Sequence, residues 1–477
     1  MIARWLVVAG TLTVASGAAA DRSKEVNAFV AVDAPTVALT HVTVIDGTGK
    51  PAVADQTIVV SGGKIASIGP AKSTKVPAGA KVLALQGATL MPGIVGMHDH
   101  LFMMGTPAFR PVVLTSPQAV QSVRLYLASG VTTIRTAGSV DPAADLNIKR
   151  LIDDGKEAGP TVFVTGPYLE GAGSSFLDML ALRTPDDAKA SVDYWASQGA
   201  TSFKAYMHIT REELAAATKS AHARGLKVTG HLCTIGFKDA AVAGIDNVEH
   251  GFLFNSDFVP SRKTDECPEG DVYDKRFITL DVKGAEVQAA IQDLIAHKVT
   301  VTSTLAVFEG VFRESLPANV LELLSPEARE MALTIKMKLG GERKAVREMV
   351  RLAVKKDMEI EFAFVRAGGT LMVGADPTGT GDTLAGLGDH RSIELLVDAG
   401  FSPVEAIHFA TQNGAEWLGE GARIGTIATG KEADLVIVRG DPAKKITDIE
   451  NVELVFKDGV GYDPKKLLDS VRGHVGQ

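Results

Sequence analysis

Between residues 89 and 415, short β-branched apolar runs alternate with longer helix-periodic stretches, eight times over. The first run is Met91-Pro-Gly-Ile-Val-Gly-Met-His-Asp-His-Leu-Phe102, and the others fall at 131–135, 161–165, 201–206, 227–232, 245–250, 299–304 and 370–376. Helical patterns lie between them, as over 211–224, where Leu214, Ala217, Thr218 and Ala221 fall on one face. Such alternation specifies parallel strands joined by helices. Eight strand–helix units are what closing a TIM (β/α)8 barrel requires. The expected fold is therefore α/β and barrel-forming, with a doubly wound open sheet as the alternative.

Outside this span the texture changes. Residues 37–45, 57–60, 65–68 and 81–85 read as short half-buried strands, and Ser61-Gly62-Gly63-Lys64 is the turn of a hairpin. The same texture returns at 433–438 and 452–456. Two groups of strands, one at each end of the chain, are expected to complete a single discontinuous β-sandwich domain. Its parts are 21–88 and 416–477, with the barrel over 89–415 between them.

The first twenty residues stand apart. Arg4, the apolar run 5–14 and Ala18-Ala19-Ala20 have the three-part form of a signal peptide, too short to span a membrane. A chain beginning near Asp21 and exported to a periplasm or the cell exterior is expected. There Cys233 and Cys267 could pair, or remain two unrelated buried thiols. A net charge of −8 argues against nucleic acid or an anionic membrane as partner. A small molecule or dipeptide is the expected partner, with homo-oligomerisation left open. Two connections are long for a compact domain: 252–280, which is densely charged, and 308–366, which includes the basic stretch 337–351. Such loops are lids or binding elements, or else disordered.

In a barrel of this kind, functional groups sit at the C-terminal ends of the strands. The first strand ends in His98 and His100, which point to the same side of an extended chain because they lie at i and i+2. The fourth holds Lys204, the fifth ends in His231, the sixth in His250 and the eighth in Asp376. Any one of these alone reads as a core or surface residue. Six at the same rim read as a metal site, since imidazole and carboxylate suit zinc and similar divalent ions. Lysine joins such a set only as a neutral amine or, better, as a carbamate, an anion with two oxygens able to bridge two ions. A substrate-binding cation or a buried salt bridge is the other reading of Lys204.

Pro92-Gly-Ile-Val-Gly-Met-His-Asp-His100 resembles the metal-binding opening strand of the amidohydrolase superfamily. Phe203-Lys204-Ala-Tyr206, His231, Asp246-Asn-Val-Glu-His-Gly251 and Val373-Gly-Ala-Asp376 follow in that family's order. Residues 402–411 and 425–438 resemble its tail, and within the superfamily the chain looks similar to imidazolonepropionase-related and prolidase-like secreted peptidases. The resemblance implies a barrel flanked by a β-sandwich and a centre of two divalent ions, with zinc expected, bridged by carbamylated Lys204. His98, His100 and Asp376 would hold one ion, and His231 and His250 the other.

Paired divalent ions lower the pKa of a water held between them. The expected reaction is hydrolysis of an amide or peptide bond, in a dipeptide or an N-acyl amino acid, by a metal-bridging hydroxide. Asp376 would be the general acid and base. Tyr206, two residues beyond Lys204, and His208 are candidate substrate contacts, with a packing role as the alternative. Arg135 is either a site residue or a structural partner for a carboxylate. A cyclic-amide hydrolase, a deaminase or a lactonase are alternative uses of such a centre. A non-catalytic binding relative is the reading from outside enzymes, and it would be expected to have lost ligands that are all retained here.

Overall fold

The computed structural model describes residues 21–105, 114–174, 176, 179–341, 344–378 and 382–477. The segment read as a signal peptide lies outside the described residues.

The strands read from the alternating pattern form and run parallel. Ile94–Asp99, Val131–Thr136 and Thr161–Phe163 make a three-stranded sheet, and a six-stranded one runs in the order Thr165–Leu169, Ser202–Ala205, Lys227–Gly230, Asn247–Glu249, Thr300–Ser303, Leu371–Val373. The third run of the sequence is thus broken at Val164. Its first half pairs with the second strand and its second half with the fourth. The first and eighth strands also meet, where the Asp376 N–H donates to the His98 carbonyl at 2.8 Å. Gly374 permits this approach, because a Cβ there would overlap the His98 backbone nitrogen. All six residues of Ile94–Asp99 are buried, as expected of a strand covered on both faces.

Helices lie between the strands where the 3.6-residue period placed them. Arg211–His222 is opened by a capping box, with Thr210 accepting from the Glu213 N–H and Glu213 reaching back to the Thr210 N–H. Leu214, Ala217, Thr218 and Ala221 are its buried face. The long connections are ordered over the described residues. The first contains the helix Gly270–Phe277, and Cys233 and Cys267 are bonded with Cα atoms 4.9 Å apart, tying this segment beside His231. The second contributes Leu305–Phe312 and, further on, the long helix Lys344–Arg366. From that helix Asp357 accepts the Phe252 N–H at 2.7 Å, just past His250.

Strands from both ends of the chain share one mixed nine-stranded sheet. Ala88–Pro92 pairs antiparallel with Leu435–Arg439 and parallel with Thr36–Val44, so it is the seam between the two groups. The hairpin read at 61–64 is present, with Gly62 at φ 58° and Gly63 at φ 77°, both in the left-handed region a two-residue turn of this hand needs. Val37, Leu39, Ile58, Val60, Leu90, Ile437 and Phe456 give this sheet a core of its own. Among the described residues no helix is long and apolar enough to cross a membrane.

Candidate metal centre

Because the strands are parallel, their C-terminal ends share one rim, and all six groups read from the sequence come together there. His98, His100, Lys204, His231, His250 and Asp376 line a single cavity of about 190 Å³. Five of the six residues are buried, with His98 0%, Lys204 1% and Asp376 8% exposed, and His231 is half-buried. Two of the six hold left-handed backbone conformations, His250 at φ 66° and Asp376 at φ 48°. Strain of this kind in non-glycine residues persists only where the surroundings enforce it, and it gathers at functional sites.

The imidazoles are aimed by what holds their Nδ1 atoms. His98 Nδ1 lies 2.8 Å from Glu249 Oε2 and His100 Nδ1 lies 3.2 Å from the Gly138 carbonyl. Both partners are acceptors, so these nitrogens carry the protons and the Nε2 lone pairs face the cavity. His250 Nδ1 bonds Thr304 Oγ1 at 2.8 Å. Asp376 sits among them, with Oδ1 3.4 Å from His100 Nε2 and 3.7 Å from His98 Nε2, and Oδ2 3.7 Å from His250 Nδ1. Lys204 Nζ is 3.1 Å from His98 Nε2. His231 is flanked by rings, stacked on Phe254 at 4.1 Å and 4.5 Å from His250.

Burial dominates the electrostatics. It lowers His100 to a pKa of about 4 and His231 to about 3, and His98 and His250 move in the same direction, with Lys204 a further cause at each. Neutral imidazole is the form that ligates metals. Burial also lowers the Lys204 amine to about 8. For Asp376 burial acts upwards, but the surrounding histidines outweigh it and hold the carboxyl well below its ordinary range.

These residues fit a metal. His98, His100 and Asp376 each offer a ligating atom, and those atoms all lie within 4.8 Å of one another. His231 Nε2 and His250 Nε2 are buried with no hydrogen-bond partner among the described residues. A buried polar atom without a partner costs free energy, and a cation in the cavity removes that cost for both. Imidazole nitrogens with a carboxylate are a donor set for zinc and its neighbours.

Two charged residues in the strand interiors were legible only in part. Arg135, fully buried, donates to Glu249 Oε1 at 2.7 Å and to the Met97 carbonyl. One guanidinium thus grips both the strand that carries His98 and the carboxylate that orients it. The structure makes Arg135 the partner of a carboxylate, and that carboxylate is Glu249. A glutamate inside the apolar run before His250 was the available signal, but its target on another strand was not. Glu249→Gln is expected to weaken divalent-ion affinity by about 10–100-fold in chelator competition. It should also lower stability in urea by about 3–5 kcal/mol, because Arg135 is left buried without its counter-charge. Unchanged affinity would remove Glu249 from the centre.

Of the two candidate substrate contacts, Tyr206 lines the cavity, 4.9 Å from the His231 ring. His208 is not in its wall. The His208 N–H donates to Glu170 Oε1 at 2.7 Å, and its ring Nδ1 lies 3.4 Å from Glu170 Oε2. A larger cavity of about 420 Å³ is lined by Ala306, on the helix whose Val307 and Phe308 line the centre. Its arginines are already neutralised, as where Arg391 meets Glu309 and Glu394, so chemistry rather than size marks the functional cavity.

The model of the amidohydrolase family matches residues 89–460. No curated protein matches the sequence. A structure provisionally assigned as a prolidase from Bifidobacterium longum superposes with a TM-score of 0.63 at 26% identity, covering 91% of this chain and 98% of that one. A Xaa-Pro dipeptidase with methionine bound in its active site gives 0.67 at 21% identity, over 90% of this chain and all of the other (100%). The bottromycin amidohydrolase gives 0.67 at 22%, over 92% and 91%. At those last two identities the likeness speaks for the fold alone. With its family match spanning most of the sequence, the chain belongs to the amidohydrolase family.

Proposed function

We propose that the protein is a metal-dependent hydrolase of an amide or peptide bond, acting on a dipeptide or an N-acyl amino acid. The observation that carries this reading is the single cavity in whose wall four neutral imidazoles, a buried carboxylate and a buried lysine converge. In this reading His98, His100 and Asp376 would hold one divalent ion and His231 and His250 a second, with zinc expected at both, and Lys204, as its carbamate, would be a ligand common to the two. Its position supports that role: an ammonium 3.1 Å from His98 Nε2 would repel cations, whereas a carbamate there would hold them.

Bound divalent ions supply Lewis acidity to a carbonyl and acidify water. The chain's own residues do the rest. Asp376 accepts the proton of the attacking water at its carboxylate and returns it to the departing nitrogen. Glu249 and Arg135 hold His98 in the tautomer that presents Nε2. Tyr206 contacts substrate at the cavity wall; the role read for His208 has less support, since Glu170 occupies it.

The accompanying fold reading is a closed TIM barrel over 89–415 with a β-sandwich from 21–88 and 416–477, behind a signal peptide over 1–20 and exported. The Asp376–His98 backbone link supports the barrel, and the sheet shared by both ends of the chain supports the discontinuous β domain. The reaction is tested by metal analysis of the purified chain, then a screen of dipeptides, N-acyl amino acids, cyclic amides and lactones. About two zinc equivalents and turnover of acyclic amides are expected. Turnover confined to lactones or cyclic amides would replace this reading.

A further inference from the structure

Beyond the ligating groups, the wall of the cavity is aromatic. Tyr168, at the end of the third strand, stands 4.8 Å from Tyr206 at 65°, and Phe176 meets Tyr206 edge-on at 5.9 Å and 82°. Phe102 lies 4.8 Å from the His100 ring, and Met179 is packed with Phe102 and Tyr168. On the other flank Phe308 is 5.6 Å from the His250 ring. These side chains come from separate segments, around the first, third, fourth and seventh strands, yet they face one space. Phe102, Tyr168 and Met179 are already buried, whereas Phe176, Tyr206 and Phe308 are half-buried and leave apolar surface that a ligand can cover.

Charge and size narrow the ligand. Among the described lining residues, the ionisable groups that charge at neutral pH belong to the ligand set itself. The Tyr168 and Tyr206 phenols are uncharged at neutral pH, so neither supplies an anion. A charged substrate side chain would lose its water here without gaining a counter-ion. The cavity is small, at about 190 Å³, and the reacting amide must share it, which favours a compact group beside the scissile bond.

Resting on the amide-hydrolase reading, we propose that the substrate carries an uncharged aromatic or branched apolar side chain, no larger than a single ring, directly next to the amide that is cleaved. Ring edges and faces at these spacings favour a further aromatic ring over an aliphatic group of equal area.

The test uses the full zinc-loaded chain and a matched series of dipeptides and N-acetyl amino acids with Phe, Leu, Gly, Asp or Lys at each flanking position. At one position, kcat/KM for Phe and Leu should exceed that for Asp and Lys by about 10–100-fold. Phe176→Lys, checked for metal content and circular dichroism, should shift the preference towards Asp at that position. Separately, calorimetry should find N-acetyl-phenylalanine bound at least about tenfold more tightly than N-acetyl-aspartate. Cleavage with equal kcat/KM for Phe, Asp and Lys would overturn the substrate class and leave the reaction standing. Preferential binding of the aromatic ligand without cleavage of any amide would uphold the class and overturn the reaction. Neither preference nor cleavage would overturn both.

Discussion

Replacing Lys204 by alanine is expected to cost the protein at least one of its metal ions and to cut turnover by on the order of a thousandfold. The argument is electrostatic. Five other groups at the rim can each ligate, and Lys204, as a carbamate, would add to the Asp376 carboxylate a second pair of oxygens able to bridge two ions. It is also the only one of the six that, unmodified, opposes a metal. Its amine is 1% exposed and stands 3.1 Å from His98 Nε2, so a cation there competes directly with any ion on that nitrogen. Removing it would free the space but take away the proposed bridge. Elemental analysis reads the metal loss, and adding small carboxylates to the Lys204→Ala protein offers a rescue that a merely misfolded variant would not show. Full metal content with retained activity in Lys204→Ala would end the bridging role.

Asp376→Asn is expected to leave the fold intact while hydrolysis falls by about 10²–10⁴-fold, the usual contribution of a positioned acid or base. Asparagine keeps the volume and can still accept from Thr378, whose Oγ1 lies 3.1 Å from Asp376 Oδ1. It cannot take up a proton near neutral pH. It also removes the charge that His98, His100 and His250 surround, so some metal affinity should go with it. The two losses separate when zinc is added to saturation: binding recovers and kcat does not. A kcat restored by excess zinc would assign Asp376 to ion binding alone.

How much of this was legible beforehand differs from residue to residue. His98 and His100 could be paired on paper because a two-residue period places them on one face of a strand, and the ends of parallel strands must share a rim. Asp376 and His250 could be placed at that rim by the same reasoning. Their left-handed backbone could not, because it depends on neighbours such as Asp357 and the first strand. Cys233 and Cys267 left two outcomes open, since a bond requires proximity and sequence carries no distance across a separation of 34 positions. Tyr206 and His208 had equal standing just past the strand Ser202–Ala205, yet Glu170, just past Thr165–Leu169, takes His208 while Tyr206 lines the cavity.

What the chain's order of residues determined alone was periodic: strands, helices, the hairpin turn, and which polar groups end each parallel strand. Those properties follow from local backbone geometry, which repeats every 2 or 3.6 residues whatever lies nearby. What only the folded molecule decided was non-periodic. Arg135 meets Glu249 and Glu249 meets His98 across separations of 114 and 151 residues. Contacts that distant depend on how the strands are assembled side by side, and no local rule encodes their partners.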